Sequence, residues 1–272
     1  MPLQPLTVII PTLREPEYLD ICLDSLYKTQ NINHQVIVVV DGFPELNQPI
    51  LEKYKDKPDF IAYASKQNQG LAYSLNVGVN FAKYEKVLII NDDNVFPRDW
   101  DINIFNHFDN IKSEQPYFLV PNQIEPIFFG NLFSHLFILK DLGIYHHNFD
   151  LDKFLDYEEG IKELGEYTNF GWTFPFVINK IDYQKVGGWD LMYNSPHCVD
   201  LDFFYKLELL RFKSYRIHDV NFYHFSGKAT INVDEDSTRQ IHDQFRQKEG
   251  QAMGFFKHKW GFIPYRKPDN SI

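Results

Sequence analysis

An alternation of strand-like and helix-like segments in the first hundred residues constrains the fold most. "LTVIIPT" (6–12) and "HQVIVVVDG" (34–42) are rich in Val and Ile, and each ends in a turn signal, which is typical of buried parallel strands. Between them, "EPEYLDICLDSLYKTQ" spaces its Leu and Cys residues as one face of a helix would. "DFIAYAS", "LAYSLNVGVNFAK" and "KVLIIND" repeat the order strand, helix, strand. The alternation predicts an α/β fold with a mostly parallel sheet flanked by helices.

Polar and acidic residues follow these predicted strands. Thr12 closes the first strand, Asp41 the second, and the adjacent Asp92 and Asp93 the fourth. Carboxyl ends of parallel strands meet at one edge of a sheet, where open α/β proteins bind ligands, so we expect these side chains to converge. If the fourth strand continues through both acids, their carboxylates point to opposite faces, and one of them can meet Mg²⁺ or Mn²⁺. For an isolated acid pair, the alternative is a helix cap or a turn-stabilising role.

Net charge and cysteine content limit the binding partners and the cellular compartment that we expect. A formal net charge of −10 argues against a surface that holds nucleic acid. The two cysteines, Cys22 and Cys198, exclude a disulfide scaffold and suit a reducing compartment. The N-terminus lacks the pattern of a signal peptide, and no stretch approaches the ~20 apolar residues of a transmembrane helix. We therefore expect a cytoplasmic protein without a transmembrane segment.

The second half of the chain is less regular. From about 105 to 180 it is dense in aromatic residues without one clean period, and Trp172 is a candidate for stacking on a sugar ring or for the core. "VDLDFFYKLELLRF" (199–212) predicts an amphipathic helix, and "KSYRIHDVNFYHF" predicts a strand that leads to His224. A polar helix and a basic, aromatic tail follow. Without repeats or a low-complexity linker, the sequence predicts one domain.

Seven blocks occur in order along the chain: "TVIIPTLREPEYLDICLDSL", "VVVDG", "NQGLAYSLNVGVNFA", "LIINDDNV", "VGGWD", "VDLDFFYKL" and "YHFSG". Together they resemble the family 2 glycosyltransferases, which have the GT-A fold. The resemblance implies a single GT-A (Rossmann-like) domain over residues 1–272. It also implies a nucleotide-sugar-binding half at 1–105, an acceptor-binding and catalytic half at 106–235, and a C-terminal helix and tail at 236–272.

The resemblance also implies roles for particular residues. Asp93 and His224 match the metal ligands, although Asn91 stands where many members place the first acid of the Asp-x-Asp motif. The residues expected at the nucleotide-sugar donor are Pro11, Thr12, Glu15, Asp41, Asn68, Gly70 and Asp92. Three lysines are candidate contacts to the donor diphosphate: Lys228, Lys257 and Lys259.

Two further blocks carry the acceptor side in this resemblance. Asp200 in "VDLD" matches the general base, with Val199 in place of the common Glu, and its alternative role is to cap the helix that follows. Trp189 and Asp190 in "VGGWD" match the acceptor-side segment. Trp172, from the aromatic region, is a further candidate contact to the acceptor, with the core as its alternative. The alternative for the two glycines of that block is a tight turn. For His224, the alternative is ordinary polar packing.

The resulting prediction is an inverting glycosyltransferase that depends on Mn²⁺ or Mg²⁺. It would move a sugar from a nucleotide-diphosphate donor, UDP being the commonest in the family, to a hydroxyl of a glycan, glycolipid-carrier or protein acceptor. A sugar nucleotidyltransferase is one alternative, but its Gly-rich loop is missing from "PTLREPEYL" after the first strand. A catalytically inactive relative that binds a nucleotide sugar or glycan is another, and the departures at Asn91 and Val199 leave it open.

Overall fold

One mixed sheet runs through the molecule. The computed structural model describes residues 3–126, 137–169, 174–193, 198–226 and 238–263. Within these ranges the strands are β1 (Thr7–Thr12), β2 (Gln35–Asp41), β3 (Phe60–Ser65), β4 (Lys86–Ile89), β5 (Asn94–Val95), β6 (Tyr117–Glu125), β7 (Ile138–Leu139), β8 (Tyr167–Thr168), β9 (Phe176–Asn179) and β10 (Lys213–His224). They form one sheet in the order β3-β2-β1-β4-β9-β6-β10-β5, with β7 beside β6 and β8 beside β10.

The strand directions bring several strand ends to one edge of the sheet. β1 is parallel to both β2 and β4, and β2 is parallel to β3. β9 is antiparallel to β4 and also to β6, so β6 runs in the same direction as β4. β10 is parallel to β6. The carboxyl ends of β1, β2, β4, β6 and β10 therefore share an edge, although they come from both halves of the chain.

Helices cover both faces of the sheet. They are α1 (Pro16–Thr29), α2 (Pro44–Tyr54), α3 (Leu71–Phe81), α4 (Trp100–Asn110), α5 (Leu151–Ile161), α6 (Lys180–Val186), α7 (Val199–Leu209) and α8 (Thr238–Trp260). One apolar cluster joins Ile9 and Ile37 of the sheet to residues of α3 and α7. On the opposite face, Val8 and Val36 pack with residues of α1 and α4. The central strands are apolar on both faces because each face is covered.

A glycine allows α3 to approach the sheet closely. A Cβ atom added at Gly78 would lie 2.3 Å from the Cγ2 atom of Ile9 in β1. A larger residue would push the helix away from the strand whose end carries Thr12. The close packing of α3 on β1 therefore depends on the absence of a side chain at Gly78, and the spacing of apolar residues does not reveal it.

The structure confirms the predicted α/β architecture and corrects one detail near its centre. β4 ends at Ile89, so Asp92 and Asp93 lie in a turn beyond the strand rather than within it. The expectation that these two carboxylates point to opposite faces of a strand is therefore wrong. Helix α2, which the sequence analysis did not predict, fills the interval between β2 and β3. The internal division of the domain at residues 105 and 235 stays a prediction.

Candidate active site

The turn after β4 buries two adjacent carboxylates. The N–H of Asn94 donates to the carbonyl oxygen of Asn91 over 3.3 Å and closes the turn. Asp92 and Asp93 are each 2% exposed. Burial raises the pKa of Asp92 to about 8, and the charge of Asp93 adds to this shift. Two acids so close in a low-dielectric site disfavour each other's ionised form, and a bound cation would remove that conflict.

His224 reaches the same turn from the end of β10. Its backbone pairs with Asn94 of β5, and the next residue, Phe225, donates its N–H to the carbonyl oxygen of Asp93 over 3.1 Å. The imidazole Nε2 lies 3.3 Å from Oδ1 of Asp93, and Nδ1 lies 2.8 Å from Oε1 of Glu125. Burial lowers the pKa of His224, but the carboxylates of Asp93 and Glu125 outweigh it and raise the pKa to about 10.

The donor set of this turn fits a divalent cation. Carboxylate oxygens and an imidazole nitrogen suit Mn²⁺, and Mg²⁺ accepts the carboxylates. Oδ2 of Asp92 is buried without a hydrogen-bond partner among the described residues. Within the same residues no group of three or more His, Cys, Asp and Glu side chains forms a complete metal centre. A cation here would take the rest of its ligands from substrate phosphates and water, as Mg²⁺ commonly does.

The candidate nucleotide contacts lie beside this turn, at the ends of β1 and β2. Oδ1 of Asp41 accepts the N–H of Gln69 over 2.6 Å, and Oδ2 accepts that of Gly70 over 2.7 Å. Oδ1 of Asn68 also accepts the N–H of Gly70, over 3.0 Å. Burial raises the pKa of Asp41, while the Gln69 and Gly70 amides oppose the rise. Asp41 thus shapes the loop that carries Asn68 and Gly70.

Three more predicted donor residues follow along the end of β1. Pro11 and Thr12 are buried as its last two residues, and Glu15 takes the N-cap position of α1. The Thr12 hydroxyl lowers the pKa of Asp92, whereas the Glu15 charge raises it. These residues therefore lie next to the acidic turn, as the sequence predicted.

The two acids of the "VDLD" block lie in different surroundings. Asp200 is half-buried in the first turn of α7, and Cys198 rather than Asp200 takes the N-cap position. Asp202 is fully buried, and its Oδ1 accepts hydrogen bonds from Lys259 Nζ over 2.7 Å and Trp260 Nε1 over 2.8 Å. Asp202 is therefore committed to holding α8, whereas Asp200 stays within reach of solvent.

The "VGGWD" block forms the turn between α6 and α7. Gly187 ends α6 with φ 84°, and Asp190 accepts from Lys259 Nζ over 2.6 Å. Trp189 is 2% exposed and stacks on Phe203 with ring centroids 4.3 Å apart. The indole of Trp189 belongs to the core, so the expectation that it contacts the acceptor is wrong. Lys259 is engaged by two carboxylates, which places it at the junction of α7 and α8.

The remaining predicted residues are spread more widely. Lys257 is exposed in the last turn of α8. Lys228 and Trp172 lie outside the described residues. The sequence analysis missed Glu125, whose contact with His224 joins residues 99 positions apart. A signal was present, because an acid follows the strand pattern of β6 as acids follow β2 and β4.

Comparison with known proteins identifies the family. The model of "Glycosyl transferase family 2" matches residues 7–154, which is more than half of the 272-residue chain. The chain belongs to the family 2 glycosyltransferases. The matched segment of this family 2 domain includes Asp41, Asp93 and Glu125, whereas Asp200 and His224 lie beyond it.

Individual relatives extend the comparison. Over 119 residues the chain is 30% identical to the minor teichoic acid biosynthesis protein GgaB of Bacillus subtilis. The matched stretch covers 42% of this chain and 13% of GgaB. The chain spans less than half the length of the curated relatives it matches. For the glycosyltransferase GlyA of Streptococcus pneumoniae, the match covers 14% of that protein.

Solved structures show the same fold. Staphylococcus aureus TarS in complex with UDP-GlcNAc aligns over 96% of this chain and 74% of its own, with a TM-score of 0.57 and 15% identity. GalNAc-T7 with UDP, GalNAc and Mn²⁺ aligns over 82% of this chain and 44% of its own, with a TM-score of 0.61 and 14% identity. None of the helices described in this family 2 domain has the length and apolar character needed to cross a bilayer.

Proposed function

We propose that this family 2 domain transfers a sugar, with inversion, from a nucleotide-diphosphate donor to an acceptor hydroxyl, and that the reaction needs Mn²⁺ or Mg²⁺. The observation that carries the proposal is the buried pair Asp92 and Asp93, with His224 beside Asp93, at the carboxyl edge of the sheet. A divalent cation held there would neutralise the diphosphate and stabilise it as a leaving group.

The residues at the ends of β1 and β2 would bind the nucleotide. Asp41 holds the 68–70 loop through two backbone amides, so Asn68 and Gly70 present a fixed surface to the nucleoside. Thr12 and Glu15 border the acidic turn where the ribose and phosphates would lie. UDP is the proposed nucleotide because two structures with this fold, TarS and GalNAc-T7, contain UDP-GlcNAc and UDP respectively.

Asp200 would act as the general base. It is half-buried in the first turn of α7, where an acceptor hydroxyl would meet its carboxylate, whereas Asp202 is fully buried and bound to Lys259 and Trp260. Asp200 would take the hydroxyl proton as the acceptor oxygen attacks the anomeric carbon and the diphosphate departs from the opposite face. A single displacement of this kind inverts the anomeric configuration.

The acceptor would approach from the side of α7. We propose a glycan, a glycolipid carrier or a protein as acceptor and a cytoplasmic reaction. Asp190 lies in the turn before α7 and ties that turn to Lys259. We place it as a support of the acceptor side. Lys257, exposed on α8, is retained as a candidate contact to the diphosphate, while Lys259 is assigned to the α7–α8 junction.

The test is to incubate the protein with Mn²⁺ and a panel of nucleotide sugars and to follow release of nucleoside diphosphate. We expect release from one donor, with loss of that release in Asp93→Ala. Donor binding without release from any donor would instead identify an inactive binding relative. Release of pyrophosphate from a nucleoside triphosphate and a sugar phosphate would identify a nucleotidyltransferase.

A further inference from the structure

His224 is held from two sides at the end of β10. Nδ1 lies 2.8 Å from Oε1 of Glu125 on the neighbouring β6, and Nε2 lies 3.3 Å from Oδ1 of Asp93. Glu125 is 8% exposed and is itself fixed, because its backbone pairs with Leu139 of β7 and its carbonyl oxygen accepts the N–H of Lys140 over 2.8 Å. The backbone of Glu125 is therefore held in the sheet, and the imidazole cannot turn without losing its contact with the Glu125 carboxylate.

Both ring nitrogens of His224 face a carboxylate, so without a metal each of them can donate a hydrogen bond, whereas a bound cation needs the lone pair of one nitrogen. An ionised carboxylate only accepts hydrogen bonds, so the ring nitrogen next to Glu125 must carry the hydrogen. When the ring serves as a metal ligand, its lone pair is then on Nε2, the nitrogen that faces Asp93. Octahedral coordination at 2.0–2.1 Å places adjacent ligand atoms about 3 Å apart. The 3.3 Å between Nε2 and Oδ1 is close to that separation.

We propose that Glu125 is a positioning residue that holds His224 with its Nε2 lone pair directed at the cation site beside Asp93. The proposal rests on the proposed function, because it needs a divalent cation at that site. A carboxylate behind a metal-binding histidine fixes its tautomer and orientation, and loss of such a partner typically costs about 10–100-fold in metal affinity. Glu125 need not touch the cation or the donor to have this effect.

The experiment uses Mn²⁺ with UDP as the probe. Affinity is measured from the electron paramagnetic resonance signal of free Mn²⁺, and coordination of histidine is detected from the ¹⁴N modulation of the bound ion's spin echo. The wild-type protein should show one imidazole nitrogen on Mn²⁺, and His224→Ala should remove that signal. Neither readout depends on turnover.

Three variants separate positioning from other effects. Glu125→Ala should lower Mn²⁺ affinity about 10–100-fold and weaken or abolish the ¹⁴N signal. Glu125→Gln keeps an oxygen that can accept from Nδ1, so it should retain the ¹⁴N signal with a smaller loss of affinity. Asp141→Asn is the matched charge control. Asp141 is exposed and, like Glu125, raises the pKa of Tyr223 through its charge, but the ring nitrogens of His224 pair with Asp93 and Glu125 instead. This variant should leave both readouts unchanged.

The outcomes are distinguishable. Wild-type affinity and ¹⁴N signal in Glu125→Ala would overturn the proposal. Equal losses of affinity in Glu125→Ala and Glu125→Gln, with the ¹⁴N signal intact in both, would overturn it as well, because charge alone would then explain the effect. If Glu125→Ala does not fold, Glu125→Gln alone gives the test. A Glu125→Gln protein that keeps its Mn²⁺ affinity but loses the histidine ¹⁴N signal would contradict the assignment of Glu125 as a positioning residue. Absence of bound Mn²⁺ in the wild-type protein would instead mark failure of the proposed cation site.

Discussion

At the scale of single residues, Asp200, the proposed base, and Asp202 lie in different surroundings. They lie two positions apart on α7, yet Asp200 is half-buried, whereas Asp202 is fully buried and accepts from Lys259, Trp260 and Tyr193. We predict that Asp200→Asn lowers the rate of nucleoside diphosphate release about 10²–10⁴-fold, the range of general-base catalysis, with an unchanged melting temperature. The release assay and a thermal melt measure the two quantities.

Asp202→Asn is the matched control for that variant. Its charge balances Lys259 in a buried network, so its loss should lower the free energy of unfolding by about 2–4 kcal/mol. Urea denaturation gives this value. Retained turnover in Asp200→Asn would remove Asp200 as the base, whatever the effect of Asp202→Asn.

At the scale of elements, the turn between α6 and α7 depends on two glycines in different ways. Both have positive φ, 84° at Gly187 and 67° at Gly188, but only at Gly188 would an added Cβ meet a nearby atom, Oδ1 of Asn76 at 2.5 Å. That oxygen accepts from the Tyr183 hydroxyl over 2.6 Å and the Trp189 N–H over 2.9 Å. Gly188→Ala should therefore disturb two hydrogen bonds that Gly187→Ala leaves intact.

We predict that Gly187→Ala costs about 1–2 kcal/mol of unfolding free energy, the usual cost of a left-handed non-glycine residue. Gly188→Ala should cost about 1–3 kcal/mol more, because of the hydrogen bonds of Asn76. Chemical denaturation of the two variants provides the comparison. Equal costs would show that Asn76 moves aside freely and that the turn is not braced through it.

The junction of α8 with α7 depends on one lysine. Lys259 bridges Asp190 and Asp202, whereas Lys257 is exposed one half-turn away. We predict that Lys259→Ala lowers the free energy of unfolding by about 1–3 kcal/mol and speeds hydrogen exchange in α8. Lys257→Ala should leave both unchanged. If Lys259→Ala instead weakened UDP binding without any loss of stability, Lys259 would be a contact to the donor rather than part of the α7–α8 junction.

Local sequence signals predicted the elements that have clear periods. β1 and β2 are Val and Ile runs with turn signals, and they were predicted with nearly their observed bounds. Helix α2 was missed because Pro49 lies inside it and few of its side chains are buried. In β6, Pro121 and the polar residues after it obscure the strand pattern.

The candidate site, like the fold, was predicted where a clear local pattern marks its residues. Asp41, Asp92 and Asp93 follow clear strand patterns and were found. Glu125 ends β6, whose pattern Pro121 obscures, and its partner His224 lies 99 positions further along the chain. Sequence also does not say whether an aromatic ring faces a cleft or the core, and Trp189 faces the core. Contacts between distant segments decide these points, and one sequence does not contain them.

At the scale of the whole molecule, a buried acid on α5 should make stability depend on pH. Burial raises the pKa of Glu158 from 4.5 to about 7, although Lys162 and Asn221 oppose the rise. The folded state therefore binds a proton that the unfolded state has released at the same pH. This contribution to stability is complete below about pH 4.5 and is lost as the pH rises through about 7.

We predict that Glu158→Gln, which resembles the protonated acid, removes this dependence. Relative to the variant, the wild-type protein should lose about 2–3 kcal/mol of unfolding free energy between about pH 5 and pH 8. Urea denaturation at several pH values measures the difference. Glu159→Gln, at an exposed neighbouring position, should follow the wild-type protein. Parallel curves for wild type and Glu158→Gln would contradict the prediction.

Calorimetric titration of UDP with and without Mn²⁺ tests most directly whether the carboxyl edge of the sheet holds the proposed metal-dependent donor site. We expect UDP to bind the wild-type protein with Mn²⁺ and to bind at least about tenfold more weakly in EDTA or in Asp93→Ala. In EDTA the diphosphate meets the buried acids without a cation, and in Asp93→Ala the cation loses a ligand. Equal UDP affinity under all three conditions would contradict the assignment of Asp93 and the metal dependence built on it.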